Sequence, residues 1–308
     1  MTNRRIFTIG ETVYDIIFRN EQPMAAKPGG AMLNTSISLG RLGLPVSFIS
    51  EIGEDEVGEK IIKFLCENNV VTNNVYKFRD GKTSLALAFL DESENANYSF
   101  YKLYPAKRLV VDFSEVKEND IVLFGSFFAI TGEVREQLMK FIRKAHQNKA
   151  IIIYDPNFRK PYLDELPKVK NLILENISLA SIVRGSDEDF RLIFGVENAD
   201  DAFRILKENG CSFLIYTSSD KNVEFISEDI KLAVPVPKIK PVSTIGAGDS
   251  FNAGIIFSLC RQHINLSELI QIDTKIWKGI IETAISFGAH VCQSLDNYIS
   301  EEFAAKRL

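Results

Sequence analysis

Short apolar runs alternate with amphipathic segments along most of the chain of 308 residues. The run at 151–154 is apolar throughout, as is typical of a strand buried on both faces. Strands are predicted at residues 5–9, 48–52, 121–124, 151–154, 178–183 and 213–217, and helices at 33–42, 131–148, 251–260 and 275–292. This alternation predicts a three-layer α/β domain with a mainly parallel central sheet.

Two stretches, at about 11–28 and 83–104, interrupt the alternation. Residues 84–90 and 98–103 are predicted as two strands joined by a polar turn at 91–97. In the first of these strands Leu85 and Leu87 alternate with Ala86 and Ala88, so both faces are apolar and both need cover. We expect the two stretches to form a small β lid within a single domain that spans residues 1–308.

The charge of the chain excludes several classes of partner. The net charge is −5, from 36 basic and 41 acidic residues without a long basic run, so nucleic-acid binding is not expected. No apolar run approaches the roughly 18 residues of a membrane-spanning helix, and the N-terminus lacks the apolar core of a signal peptide. The four scattered cysteines, without a CxxC pair, predict buried free thiols and a cytoplasmic protein.

A glycine-rich turn, Gly246-Ala247-Gly248, follows a proline-punctuated segment and opens the helix predicted at 251–260. Glycines let an anion approach the backbone, and the first N–H groups of a helix are unpaired, so the turn is suited to phosphate. Asp249 places a carboxylate beside that anion site. A carboxylate repels phosphate, but it can remove a proton from the attacking hydroxyl in phosphoryl transfer. The alternative is a glycine-rich helix cap in which Asp249 only interacts with the helix dipole.

Two other phosphate-binding motifs are excluded, because each lacks a required glycine. Gly81-Lys82-Thr83 has the end of a Walker A loop, but Tyr76 occupies the first glycine position. Gly246-x-Gly248 could begin a dinucleotide fingerprint, but Phe251 stands where the third glycine belongs.

The segment from Thr244 to Phe251 resembles the C-terminal signature of the PfkB (ribokinase-like) carbohydrate kinases. Gly-Gly-x-x-x-Asn at 29–34 and Asp-x-Asn-x-Arg at 155–159 resemble further motifs of that family, in the same order. The resemblance implies a ribokinase-like fold and ATP-dependent phosphorylation of a sugar hydroxyl. It also implies that Asp249 is the catalytic base and that Gly246, Ala247 and Gly248 form the anion hole.

Sugar-binding residues follow from the same resemblance. Asp15 comes soon after the first strand and can accept hydrogen bonds from sugar hydroxyls, and Asn34 offers both a donor and an acceptor. From the residues alone, a solvated loop aspartate and a helix-capping asparagine explain these positions as well. Arg159 could offset phosphate charge. The set implied by the resemblance is Asp15, Gly29, Gly30, Asn34, Ser126, Asn157 and Arg159.

Four residues depart from the family pattern. Ser186 and Asp189 replace an Asn-x-x-Glu pair tied to magnesium and phosphate, so Asp189 is expected to reach Mg²⁺ through a water; a capping box explains the pair equally well. Ser219 replaces a glycine in the nucleotide loop, where ATP is expected near Thr217 and Ser219 as well as Gly246 and Gly248. Ser243 replaces an aspartate that often helps to bind a monovalent cation, which leaves activation by such a cation open.

The resemblance implies ATP and Mg²⁺ as cofactors, a small sugar as substrate and a homodimer formed through the lid. Fructokinase is the first expectation, from the resemblance around 83–101 and 125–126, and ribokinase is the second. A nucleoside kinase is a further alternative, because Phe89, Phe100 and Tyr101 could clamp a base. The last alternative is a sugar- or nucleotide-binding relative without catalytic activity.

Overall fold

A computed structural model describes residues 4–90, 96–113, 115–219 and 221–308. Most of the polar turn predicted at 91–97 lies outside the described residues. The strands are β1 (Ile6–Ile9), β2 (Val13–Arg19), β3 (Gln22–Gly29), β4 (Val46–Gly53), β5 (Val75–Phe78), β6 (Lys82–Leu90), β7 (Ala96–Leu103), β8 (Ile121–Gly125), β9 (Ile151–Asp155), β10 (Ile182–Ser186), β11 (Leu214–Thr217), β12 (Asn222–Ile226) and β13 (Lys231–Pro235). The α-helices are α1 (Ala31–Arg41), α2 (Glu56–Glu67), α3 (Gly132–Gln147), α4 (Leu166–Leu179), α5 (Asp187–Phe194), α6 (Ala199–Glu208), α7 (Ala247–Arg261), α8 (Thr274–Val291) and α9 (Glu301–Ala305).

The large central sheet has the strand order β13-β12-β11-β10-β9-β8-β1-β4-β5 within the described residues. The apolar runs that predicted strands form its centre, where every residue of β1, β8 and β9 is buried. Ile6 lies opposite both Val46 and Ile121, in parallel register on either side. Among the described strands of this large sheet, only the pairings of β12 with β11 and with β13 are antiparallel. The prediction of a mainly parallel sheet is confirmed.

Helices cover both faces of the sheet. One apolar cluster joins it to α1, α2, α7, α8 and α9, with Trp277 and Ile255 fully buried at its centre. The other cluster joins it to α3, α4, α5 and α6, with Leu138 fully buried. Both clusters combine residues of the sheet with residues of the helices, and the predicted three-layer arrangement is confirmed.

A smaller sheet, here the lid sheet, contains β3, β2, β6 and β7 in that order. Asp15 is paired with Lys27 on one side and with Ala86 on the other, and Ala86 is paired with Phe100. Since paired residues point to the same side of a sheet, these four share one face. Tyr14, Leu85 and Tyr101 are paired in the same way and occupy the opposite face.

Some local predictions were wrong. No strand spans 178–183: α4 continues to Leu179, and β10 begins at Ile182 and extends to Ser186. Val169, Ile173 and Ile177 continue the helical spacing up to the start of the predicted strand, and a short apolar run alone does not distinguish the two structures. Asp15 lies within β2, so the alternative of a solvated loop aspartate does not hold.

The cysteines are free as predicted, but not all of them are buried. Cys211 and Cys292 are buried, Cys260 is half-buried and Cys66 is exposed. Among the described residues, no helix is long and apolar enough to cross a membrane.

Candidate active site

Polar residues gather where parallel strands of the large sheet end. Ser126 follows β8, Asp155 ends β9, Ser186 ends β10 and Thr217 ends β11. In open α/β sheets this carboxyl edge is where ligands bind. The N-terminus of α7 reaches the same edge, since Asn252 of that helix donates to Asp155 over 2.6 Å.

The predicted glycine-rich turn forms the start of α7. Gly246 is the N-cap residue and has a φ of 81°, a left-handed conformation that favours glycine. A Cβ at Gly246 would lie 2.1 Å from the backbone oxygen of Asn297, so a side chain is excluded there on steric grounds as well. Ala247 and Gly248 are the first two residues of the helix, where backbone N–H groups lack helical partners, and the Ala247 N–H donates to Thr244 O over 3.3 Å. The turn therefore offers donors and the positive end of the helix dipole to an anion.

Asp249 lies in this first turn and is held by α1. Asn34 Nδ2 donates to Asp249 Oδ2 over 2.8 Å, and Thr35 Oγ1 donates to the Asp249 backbone carbonyl over 2.9 Å. The structure thus brings together two predicted site residues that lie far apart in the sequence. The second contact fixes the backbone of α7 against α1, so the carboxylate has a defined position.

The surroundings of Asp249 favour its neutral form. Desolvation is the largest effect and raises the pKa of Asp249 to about 6, with a further increase from the charge of Asp155. The hydrogen bond from Asn34 and the charges of Arg159 and Arg184 act in the opposite direction. A carboxyl group with a pKa near 6 can accept a proton and release it again close to neutral pH.

Asn34 has a second polar side-chain atom, Oδ1, in addition to the Nδ2 atom that contacts Asp249. Its residue is buried, at 3% exposure, and its Oδ1 has no hydrogen-bond partner among the described residues. Gly30 is the N-cap residue of α1, with a φ of 125°, and its carbonyl accepts a hydrogen bond from the Asn34 backbone N–H at 2.9 Å. Buried acceptors are normally satisfied, so the Oδ1 atom is a candidate contact for a ligand hydroxyl.

Asp15 is brought close to Gly29 by the pairing of β2 with β3. A Cβ at Gly29 would lie 2.0 Å from Asp15 Oδ2, so only glycine leaves room for this carboxylate. Burial raises the pKa of Asp15 to about 6, and the Lys27 ammonium lowers it. Gly29, Gly30 and Asn34 thus connect the lid sheet with the start of α1.

Ser126 and Asn157 form a second pair at the sheet edge. Asn157 Nδ2 donates to Ser126 Oγ over 3.1 Å, and the Ser126 backbone N–H donates to Asp155 O over 2.9 Å. Both residues have positive φ angles, 55° and 38° respectively. Such conformations are strained for non-glycine residues and cluster at functional sites. Arg159, just beyond, is exposed, and its charge acts on Asp249.

A buried ionic network lies beneath these residues. Arg184 donates to Asp155 over 3.0 Å and to Thr217 Oγ1 over 3.0 Å. A Cβ at Gly248 would lie 3.0 Å from the Arg184 guanidinium, so this cation packs directly against the start of α7. Arg184 therefore joins Thr217, which the sequence predicted as a nucleotide contact, to the glycine-rich turn.

Ser186 and Asp189 form the capping box of α5. Ser186 Oγ accepts from the Asp189 N–H at 3.1 Å, and Asp189 Oδ2 accepts from the Ser186 N–H at 2.7 Å. The other carboxylate oxygen accepts from the Phe158 N–H at 2.6 Å, and Asp189 is only 4% exposed. The capping box that the sequence allowed for this pair forms, and the expected contact of Asp189 with Mg²⁺ through a water stays a prediction.

The remaining two departures from the family pattern stand apart from this network. Ser219 is exposed and has a φ of 29°, a conformation that a glycine would adopt more easily. Ser243 Oγ accepts from the Ile245 N–H at 3.2 Å and so supports the loop before α7.

Sequence reasoning missed Thr35, Arg184, Asn252 and Lys27 as site residues. Arg184 had a signal, since a cation inside an otherwise apolar strand needs a buried partner. Asn252 lies three residues after Asp249, on the same face of α7. Lys27 gave no signal, because its partners Leu295 and Asn297 lie about 270 residues away.

A comparison with known families identifies the family of this chain. Over residues 3–293 the sequence matches the pfkB family of carbohydrate kinases. The chain belongs to this family. A fructokinase from Rhizobium leguminosarum bv. trifolii is 31% identical over 265 residues, which cover 82% of this chain and 79% of that protein. A probable chloroplastic fructokinase-6 from Arabidopsis thaliana is 30% identical over 241 residues, 76% of this chain but only 62% of that longer protein.

Solved structures of PfkB-type kinases have the same fold. A double-mutant fructokinase from Vibrio cholerae O395, in its fructose, ADP and potassium ion bound form, has a TM-score of 0.85 at 18% identity, with 97% of this chain and 95% of that chain covered. The aminoimidazole riboside kinase from Salmonella enterica, complexed with aminoimidazole riboside and an ATP analogue, has a TM-score of 0.81 at 20% identity, with 98% and 99% covered. These likenesses confirm the predicted ribokinase-like fold.

Proposed function

We propose that this PfkB-family kinase, as a single domain over residues 1–308, transfers the γ-phosphoryl group of ATP to a hydroxyl of a small sugar, with fructose as the first substrate to test. The observation that carries the proposal is the Asn34–Asp249 contact at the N-terminus of α7, which places a carboxyl group of raised pKa beside an anion-binding turn. The names of the Rhizobium and Vibrio fructokinases support the choice of fructose.

Asp249 is the base in this proposal. Asn34 holds Oδ2, and Asp249 Oδ1 takes the proton of the attacking sugar hydroxyl. The hydroxyl oxygen then forms a bond to the γ-phosphorus while the bond from that phosphorus to the bridging oxygen of ADP breaks. Because desolvation raises the pKa of Asp249 to about 6, the proton is accepted readily and can later leave to solvent near neutral pH.

The first turn of α7 stabilises the charge that develops on the phosphoryl group. The N–H groups of Gly246, Ala247 and Gly248 are the proposed anion hole, and the helix dipole points its positive end towards the same place. Arg184 beneath Gly248 and the exposed Arg159 add positive charge around it. Thr217 and Ser219 are the proposed nucleotide contacts after β11, next to this turn.

The sugar is proposed to lie between the lid sheet and α1. Asp15 and the unpartnered Oδ1 of Asn34 would accept sugar hydroxyls, with Gly29 and Gly30 allowing close approach. Ser126, Asn157 and Arg159 would complete the pocket from the ends of β8 and β9. The Asp, Asn and Ser side chains in this set are polar and short, which suits a polyol.

Magnesium is proposed to enter with the nucleotide. Among the described residues, no group of three or more His, Cys, Asp or Glu side chains could hold a metal ion. The carboxylates of Asp155 and Asp189 already accept hydrogen bonds from protein donors. These residues therefore fit an ion held mainly by phosphates and water, as is usual for Mg²⁺ at nucleotide sites, where it neutralises phosphate charge.

Aminoimidazole riboside or another nucleoside is the alternative substrate class, suggested by the Salmonella enzyme. A planar base needs an aromatic or apolar clamp. Phe100 shares the face of the lid sheet that carries Asp15, whereas Tyr101 pairs with Leu85 on the opposite face, and Phe89 stacks there on Phe18 with ring centres 5.1 Å apart. Only one of the three predicted clamp residues therefore faces the substrate side, which favours a sugar.

The opposite face of the lid sheet supports a homodimer. Phe89, Tyr101 and Leu103 are 43%, 59% and 60% exposed, an apolar surface that a second copy of the chain could cover. Sedimentation of wild-type protein and of Tyr101→Glu would measure it, with a monomeric wild type contradicting the proposal. The free cysteines support a cytoplasmic location, which cell fractionation would check.

A coupled ADP-release assay with fructose, ribose and adenosine tests the kinase proposal. We expect turnover with fructose to exceed turnover with the other two. Preference for adenosine would favour the nucleoside alternative, and binding of sugar without turnover would favour a non-catalytic protein. Asp249→Asn is the control for contaminating kinases.

A further inference from the structure

Lys27 connects the lid sheet to a segment that lies far from it in sequence. It occupies β3, directly opposite Asp15 of β2, and its side chain is half-buried. Its ammonium donates to Asn297 Oδ1 over 3.1 Å and to the backbone carbonyl of Leu295. A lysine that holds a buried amide and a backbone oxygen together has a fixed position, unlike an ordinary surface lysine.

The segment that Lys27 holds is itself packed against the glycine-rich turn. Asn297 is 3% exposed, and a Cβ at Gly246 would lie 2.1 Å from its backbone oxygen and 2.6 Å from its Cα. The Val242 N–H also donates to Cys292 O over 2.8 Å, which joins the two loops at their other end. Because no space separates Asn297 from Gly246, a shift of the former must move the N-cap of α7.

The charges around Lys27 agree with a bridging position. Burial lowers the pKa of Lys27, and the carboxylates of Asp296 and Asp15 raise it. One of these acids belongs to the segment after α8, and the other is the proposed sugar ligand. The ammonium thus stands between the two parts of the site and interacts with both.

We propose that Lys27 is a positioning residue that couples occupancy of the sugar pocket at Asp15 to the conformation of the phosphate-binding turn at Gly246. A sugar bound at Asp15 orders β2 and β3, and Lys27 carries that order through Asn297 to the N-cap of α7. Binding of sugar and of nucleotide then strengthen each other. This inference rests on the proposed kinase function and adds a residue that neither donates nor accepts a reacting proton.

The experiment measures how fructose changes the affinity for ADP, by calorimetry on the full chain. In the wild type, saturating fructose should tighten ADP binding by about fivefold or more, the usual lower range for coupled sites. Lys27→Met should bind ADP alone as the wild type does, but fructose should change its affinity less than about twofold. Its kcat should fall at least about tenfold, because bound fructose no longer orders the anion hole.

Three further variants separate coupling from other roles. Lys27→Arg keeps the charge and should restore much of the coupling. Lys60→Met is the matched control, since Lys60 of α2 lines the same surface groove as Lys27 but is exposed. Asn297→Ala removes the acceptor from the opposite side and should reproduce Lys27→Met, which keeps the test valid if that variant folds poorly.

Two results would overturn the inference. If Lys27→Met and Asn297→Ala keep the wild-type effect of fructose on ADP affinity, Lys27 is only a structural tether. If the wild type shows no effect of fructose on ADP while both ligands bind, the coupling itself does not exist. Failure of the kinase proposal has a different signature, because the wild type would then bind neither fructose nor ADP, or bind them without turnover.

Discussion

Asn34 of α1 donates from Nδ2 to Oδ2 of Asp249 in α7 over 2.8 Å, across 215 residues of sequence. This hydrogen bond joins the helix that follows β3 to the helix that begins with the glycine-rich turn. It also lowers the pKa of Asp249 against the larger effect of desolvation. One asparagine therefore both orients the proposed base and lowers its pKa.

Replacing Asp249 by asparagine should abolish most of the turnover. The amide keeps the size of the side chain but cannot accept the hydroxyl proton, so kcat should fall by about 10²- to 10⁴-fold, the usual worth of a positioned base. ADP binding should stay within about twofold, since the backbone N–H groups of the turn are unchanged. Asp187→Asn, in the first turn of α5, is the control and should retain activity. A kcat near the wild-type value in Asp249→Asn would refute the assignment.

The rate should depend on pH through the same carboxyl group. A base must be deprotonated, so kcat/KM should rise with pH and level off above the pKa of about 6. Asn34 lowers that pKa, so Asn34→Ala should move the midpoint of the acid limb to higher pH. Thr35→Val removes only the contact to the Asp249 backbone carbonyl and should leave the midpoint in place. An unchanged midpoint in Asn34→Ala would mean that another group controls the profile.

Stability should respond to Asp249 in the opposite sense from activity. The folded pKa of about 6 lies above the ordinary value of 3.8, so the folded state binds the proton more tightly than the unfolded state. The stability contribution of this group is complete below pH 3.8 and is lost as pH rises through about 6. Asp249→Asn removes the penalty and should raise the free energy of unfolding at pH 7.5 by on the order of 1–3 kcal/mol, with little gain at pH 4. Urea unfolding at both pH values measures this, and an equal gain at the two would show that ionisation is not its cause.

Local sequence patterns predicted most of the strands and helices that build the fold. Continuous apolar runs predicted the strands at 121–124 and 151–154, because burial on both faces leaves no room for polar residues. Periodicity failed where helix and strand patterns meet, at the boundary between α4 and β10. There the apolar residues at 177–183 fit both structures, and only the tertiary contacts decide.

Contacts between distant segments could not be predicted in the same way. The glycine-rich turn and Asp249 were visible as a local pattern, but the partners of Asp249 come from α1. The Lys27–Asn297 contact depends on how β3 and the segment after α8 meet, which no local spacing encodes. Arg184 lies within a strand and acquires its role only from the neighbouring ends of β9 and β11.

Replacing Asp15 should raise the KM for fructose far more than the KM for ATP. Asp15→Ala removes the carboxylate that lies against Gly29 on the sugar side, so the KM for fructose should rise by about tenfold or more, as is usual for a lost charge-assisted hydrogen bond. At saturating fructose the KM for ATP should change less than about threefold, since the proposed nucleotide contacts lie after β11. Glu67→Ala is the control, because Glu67 is an exposed acid of α2 that lines a surface groove with residues of β3. Equal changes in both KM values would remove Asp15 from the sugar site.

Restoring the family residues at the start of α5 should not change the need for magnesium. Asp189 is buried and uses both carboxylate oxygens for the N–H groups of Phe158 and Ser186, so we expect the pair Ser186 and Asp189 to serve as a cap. In Ser186→Asn with Asp189→Glu, the magnesium concentration for half-maximal rate should stay within about twofold, because the proposed ligands of the ion are mainly phosphates and water. The added methylene must fit a packed site and should cost about 1–3 kcal/mol of stability, measured by urea unfolding. Asn198→Ala, which weakens the cap of α6, is the matched control for lost stability alone. A clearly lower magnesium requirement in the double variant would instead place these side chains at the metal.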